Sequence, residues 1–200
     1  MAGLALIAAP ATAQTTLGLK GGVGFSTVTI EQEGVEEESV SGFVAGMELG
    51  VPVSNALSLR FGGTYAQKGG SGNVEGGKIT LGFDYVQLSA LARVGTSGNG
   101  GVSVGVMAGP WAAYRLSCEV EGTLEGLSVV TPCVDPPFAD FEIKTLDFGV
   151  AFGGGVEFPV AGSVRLGLDA LYSLGLASID EDDSKTRHLT IQSSFVIPIG

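Results

Sequence analysis

From Leu146 to Leu176 bulky apolar side chains alternate with small or charged ones, and this restricts the fold more than any other feature of the chain. In the first run Leu146, Phe148, Val150, Phe152, Val156 and Phe158 share one parity; Asp147, Gly149, Ala151, Gly153, Gly155 and Glu157 share the other. After the connection P-V-A-G-S, Val164, Leu166, Leu168, Ala170, Tyr172, Leu174 and Leu176 oppose Arg165, Gly167, Asp169, Ser173 and Gly175. A period of two puts alternate side chains on opposite sheet faces, so this stretch is expected to be a long antiparallel hairpin. Its strands are about twice the ~5–6 residues typical of globular sheets and reach the ~9–11 residues that a tilted strand needs to cross a bilayer. Bulk on one face with glycine and charge on the other suits a narrow barrel that has lipid outside and a crowded, polar interior.

Composition agrees. The chain has 200 residues, the size of one domain, with 33 glycines and a charged fraction of only 16%. Its mean hydropathy is +0.38, although no window holds the ~18 uninterrupted apolar residues of a membrane helix. A net charge of −11 argues against nucleic acid as a partner, because nothing basic could neutralise phosphates. Residues 1–13 read as the apolar end of an export signal, with Ala11-Thr12-Ala13 as the cleavage site before Gln14. A basic n-region is missing, so the natural start is expected upstream. Residues 14–200 would then form the barrel domain.

Eight alternating segments can be read along the chain. Leu17 to Phe25 is followed by an acidic loop, 31–41. Phe43 to Val51 and Leu57 to Tyr65 flank a short turn, and a glycine-rich loop follows. Ile79 to Val94 changes phase, and a bulge near Tyr85 and Val86 would keep its apolar residues outward on both sides. Val102 to Tyr114 precedes the longest loop, 117–144; the Leu146 hairpin and the run Leu189 to Ile199 complete the set. Long loops and short turns alternate, as in outer-membrane barrels. The expected fold class is all-β: a single eight-stranded, antiparallel, up-and-down transmembrane barrel. The aromatics Phe25, Phe43, Tyr65, Phe83, Tyr114, Phe148 and Tyr172 fall on the outward parity near the long-loop ends, the place of an interfacial girdle.

The motifs D-F-G-V-A-F-G-G-G-V-E-F-P-V and V-R-L-G-L-D-A-L-Y-S-L-G-L resemble the closing half of the small outer-membrane β-barrel family labelled "porin family protein" or PorT-like. G-L-K-G-G-V-G-F-S-T, D-Y-V-Q-L near Asp84 and A-G-P-W near Ala108 resemble its other recurring pieces. The resemblance runs from about Leu17 to the C-terminus and implies an eight-stranded barrel of the bacterial outer membrane. The family name promises no pore, and most members have no assigned activity. The ending F-V-I-P-I-G departs from barrels that finish on an aromatic residue read by the assembly machinery; Phe195 is the substitute at hand.

Inward charges are the strongest site-like feature. Glu48 and Arg60 flank one turn, and Glu157 and Arg165 flank another, so each pair would lie directly or diagonally opposite on the interior face. With Lys20, Arg115, Asp147 and Asp169 they could form a charge network filling the lumen. Cys118 and Cys133 share one loop, and an exported chain meets an oxidising compartment, so a disulfide is expected. The acidic groups Glu31, Glu33, Glu36, Glu37 and Glu38, and Asp180, Glu181, Asp182 and Asp183, read as solvated loops, since neither has calcium-loop spacing. Any histidine-dependent lipid hydrolysis must use His188 with a serine or threonine nucleophile within its reach, Ser173 and Ser194 being the serines considered.

The function expected is therefore structural or interaction-type: an integral barrel without catalysis, metal or cofactor. Its lumen is filled by side chains, its acidic loops are exposed, and its partners are membrane lipid, lipopolysaccharide and the barrel-assembly machinery. A narrow channel for small solutes or ions is the alternative, followed by a lipid-modifying barrel or a soluble, lipocalin-like binding barrel.

Overall fold

The computed structural model describes residues 14–29, 37–74, 77–96, 101–124, 127–133, 144–177 and 185–199. The expected export signal at 1–13 lies outside them, as do Glu31, Glu33, Glu36 and residues 180–183. Nine strands are described: β1 (Thr16–Thr29), β2 (Glu37–Pro52), β3 (Leu57–Val74), β4 (Gly77–Gly95), β5 (Ser103–Leu124), β6 (Leu127–Pro132), β7 (Leu146–Ala161), β8 (Val164–Gly175) and β9 (Lys185–Pro198). All neighbours pair antiparallel, in the order β4-β3-β2-β1-β9-β8-β7-β5, and β4 closes on β5. Eight strands thus form a closed cylinder. The ninth, β6, lies outside that count and pairs with the far end of β5.

The alternation settles which way the wall faces. Phe148, Phe152 and Leu168 are 55%, 47% and 47% exposed, whereas Asp147, Ala151 and Asp169, of the opposite parity, are buried inside. Leu19, Val23, Met47, Leu88, Val106, Ile191 and Phe195 extend the exposed apolar band around the cylinder. A soluble barrel would carry this bulk inward; here the outside is greasy and the inside holds lysine, arginine, aspartate and glycine.

Three loops are shorter than the sequence implies, because their ends are strand. β2 begins at Glu37, inside the expected acidic loop. The glycine-rich segment continues the β3–β4 hairpin up to the pair Val74 and Gly77. β5 runs for 22 residues to Leu124, and β6 folds back on it. Composition hid these extensions: once a hairpin is anchored in the wall, backbone pairing continues through glycine and polar residues that have no strand preference of their own.

The bulge expected in β4 lies on its partner. β4 pairs with β3 without interruption from Leu57 and Val94 to Val74 and Gly77. The register shift occurs in the β4–β5 ladder between Asp84 and Tyr85, opposite Ser117 and Arg115, and leaves Leu116 as the extra residue on β5. β4 therefore keeps one phase throughout. Val86 and Leu88 face out, while Phe83 and Tyr85 face in.

Candidate functional site

The interior is built in two tiers. At the short-turn end, Glu48 on β2 receives Lys20 Nζ from β1 at 3.1 Å and Arg60 Nη1 from β3 at 2.9 Å. Arg60 also pairs, through Nη2, with Glu157 on β7, across the cylinder from its own strand. Glu157 in turn receives Arg165 Nε from β8 at 3.3 Å. The register explains both hairpin pairs: Glu48 is opposite Gly62 and Arg60 opposite Gly50, a diagonal; Glu157 is opposite Gly167 and Arg165 opposite Pro159, another. For Glu48, Arg60 and Glu157 the opposite residue is glycine, which leaves room for the long side chain to lean across. Asp169 is buried at the same end, opposite Gly155 and two positions from the Glu157–Gly167 pair.

Six of the eight expected charges thus gather in one cluster: Lys20, Glu48, Arg60, Glu157, Arg165 and Asp169. Asp147 and Arg115 do not join it. Both sit in the outer tier, where Asp147 is 1% exposed and accepts a hydrogen bond from Thr186 Oγ1 at 2.7 Å. Arg115 stands opposite Tyr85 on the neighbouring strand. The parity was right for both; the height along the strand separates them from the cluster.

The outer tier also contains an apolar group that the sequence did not announce. Phe83, Tyr85, Leu91, Met107, Trp111, Ala113 and Ala151 pack together inside the barrel. Lys68 Nζ lies 4.3 Å from the centroid of the Trp111 ring and 5.1 Å from that of Tyr85, and donates to Gln87 Oε1 at 3.0 Å. Such cation–π contacts gain from the absence of competing water. Phe83 consequently leaves the expected aromatic girdle: at 3% exposure it belongs to the interior, because β4 does not change phase. The other six face outward. Phe25, Phe43, Tyr114 and Phe148 are exposed, and Tyr65 and Tyr172 half-buried, with Tyr172 tilted against Phe152 at 5.6 Å. A second charge missed from sequence is Arg93, buried at the short-turn end, where its Nη2 donates to Ser103 Oγ at 3.1 Å.

Cys118 and Cys133 are joined, with Cα atoms 5.4 Å apart, and Cys133 N–H donates to the Cys118 carbonyl at 3.0 Å. The bulge at Leu116 turns Cys118 to the same side as Phe83. His188 is buried beside Thr190, Oγ1 to Nδ1 3.4 Å, and stands opposite Ser173 in the β8–β9 ladder. The cavity beside it measures about 30 Å³. That is room for a water or two, not for a lipid chain. Among the described residues no group of three or more histidine, cysteine or carboxylate side chains is placed to hold a metal.

A family model described as "Outer membrane protein beta-barrel domain" matches residues 1–195. No curated protein gives a significant sequence match. Among solved structures, the chain is similar to the outer membrane protein OprG of Pseudomonas aeruginosa, with a TM-score of 0.54 at 8% identity, covering 94% of this chain and 97% of that one. It is also similar to Neisserial surface protein A, with a TM-score of 0.51 at 13% identity, covering 92% and 97%. At these identities the likeness is one of fold. With a greasy outer wall, a closed eight-stranded cylinder and a family model spanning nearly its whole length, the chain belongs to the outer-membrane β-barrel domain family and resides in the bacterial outer membrane.

Proposed function

We propose that this protein is a non-enzymatic, non-conducting barrel whose lumen is closed by its own side chains and whose long-loop end is displayed outside the cell. The observation that carries this reading is the Arg60–Glu157 pair, which ties β3 to β7 across the cylinder. With Lys20, Glu48 and Arg165 it forms one continuous chain of opposite charges. Above it the Trp111 group and Lys68 occupy the outer tier. An eight-stranded barrel is only just wide enough for side chains to fill, and the interior cavity of about 30 Å³ between the tiers supports that. Short turns then face the periplasm together with both ends of the chain, and the outward aromatics nearest the long loops, Tyr114 and Phe148, sit at the headgroup level of the outer leaflet. Lipopolysaccharide surrounds the band, the assembly machinery inserts it, and the acidic loops give the exposed end a negative field.

Planar-bilayer recording tests the reading. The purified, folded barrel is expected to be silent; discrete conductance steps would establish the channel alternative instead. The histidine-dependent alternative is tested by His188→Ala in cells that modify their lipid A, where an altered lipid pattern would overturn the non-enzymatic reading.

A further inference from the structure

We propose that the open edge of β6 is a docking strand for an extended polypeptide segment in which basic and apolar residues alternate. β6 pairs with β5 on one side and has no strand on its other side among the described residues. It stands clear of the bilayer. Glu119, where the β5–β6 pairing ends, lies beyond the outward-facing Tyr114 by four ladder steps, the bulged Leu116 not counting, which at ~3.4 Å per residue and a ~40° tilt is about 10 Å higher.

Edge strands of stable proteins are usually blunted by lysine, proline, bulges or short length. The run Leu127-Ser128-Val129-Val130-Thr131 has no charge, and its proline, Pro132, comes only at the end. Val129 and Val130, on opposite faces, are 65% and 55% exposed. The Cys118–Cys133 disulfide and the Cys133 N–H to Cys118 carbonyl bond fix the membrane-proximal end of the strand. Such an edge is pre-ordered before anything binds, which removes part of the entropic cost of strand addition.

A second copy in the same membrane cannot be the occupant. A two-fold axis along the membrane normal keeps both strands running the same way and reverses their tilt. They would cross at about 80°, against the ~20–25° between neighbours in a sheet. The two faces of β6 then define the partner. On the outer face Val130 is opposite Glu121 and Pro132 opposite Glu119, and Glu119 is exposed. An added strand lies ~10 Å from β5, so a lysine or arginine reaching over Val130 meets these carboxylates. On the other face Val129 is opposite Gly122 and Thr131 opposite Val120, with no charge to satisfy. Basic residues on one face and apolar ones on the other are what this surface accepts.

This proposal rests on the reading that the long-loop end lies outside, and its test is separable from that of the closed lumen. Hydrogen exchange of residues 127–132 is followed in the detergent-folded protein with three octapeptide probes: alternating lysine and valine, the same sequence with N-methylated backbone amides, and alternating glutamate and valine. The lysine–valine peptide is expected to slow exchange across 127–132 at least tenfold, and the Glu119→Gln/Glu121→Gln variant to weaken its binding about tenfold; the other two peptides leave exchange unchanged. Equal binding by the N-methylated peptide would mean charge adsorption without strand pairing and would overturn the proposal. So would unchanged exchange with the lysine–valine peptide. Conductance of the same preparation reports on the lumen independently.

Discussion

Arg60 holds a carboxylate on each side, Glu48 from the adjacent strand and Glu157 from across the barrel, and both pairs are largely shielded from water. Removing one partner strands the other. Glu157→Gln is therefore expected to cost about 3–5 kcal/mol, read as a lower midpoint in urea unfolding from lipid vesicles. The combined Arg60→Met/Glu157→Leu variant should recover part of that loss, since Glu48 keeps Lys20 while Arg165 still lacks its carboxylate; a double variant as unstable as the single one would show that the pair is not the cause. Glycine spacing is equally specific. A Cβ at Gly149 would run into the Leu174 carbonyl and come within 3.0 Å of Trp111 Cζ2. Gly149→Ala is expected to destabilise by about 1–3 kcal/mol, and Trp111→Phe in the same chain to relieve part of it. The Glu48–Arg60 and Glu157–Arg165 pairs were legible in the sequence because each flanks a short turn that fixes the register. The contact of Lys68 with Trp111 was not legible, because it depends on how β3 and β5 align through β4.

Among the elements, β4 and β5 hold most of what the sequence concealed. An apolar run on both parities looks like a change of phase, and a bulge in the run itself is the simplest repair. The interior offers a second solution. The lumen can take apolar bulk where charge gives out, so Phe83 and Tyr85 face inward and the extra residue, Leu116, falls on the partner strand. Alternation cannot distinguish these cases, since it reports that two faces differ and not which environment each meets. The cysteine pair was legible from spacing and compartment; the strand between them, β6, was not, because six residues carry too little periodic signal. The closed cylinder does not depend on β6, as β4–β5 and β5–β7 complete the wall. Cys118→Ser/Cys133→Ser is thus expected to retain the gel-mobility shift between unboiled and boiled samples while proteolysis near residues 127–133 accelerates. Loss of the mobility shift would contradict this division between wall and extension.

For the whole molecule, the strand count of the wall and the outward set of the Leu146–Leu176 hairpin were legible, because lipid exposure imposes one rule on every strand; the alternation of long and short connections was not, since β3 and β4 pair up to Val74 and Gly77 while seven residues separate β4 from β5. The depth at which each interior charge sits was not, because stagger between strands is set by pairing around the entire cylinder. Placing a charge on the greasy face should be costly near the bilayer centre: Phe152→Arg is expected to destabilise by about 2–4 kcal/mol, whereas Ser194→Thr, inside, should change little. The most direct test of the account is fluorescence quenching by lipids brominated at mid-chain. The chain's one tryptophan, Trp111, is inside and 3% exposed, so its emission should be quenched weakly. With Trp111→Phe and Phe152→Trp combined, emission should be quenched strongly. Strong quenching of Trp111 together with weak quenching after Phe152→Trp would turn the wall inside out and contradict the assignment.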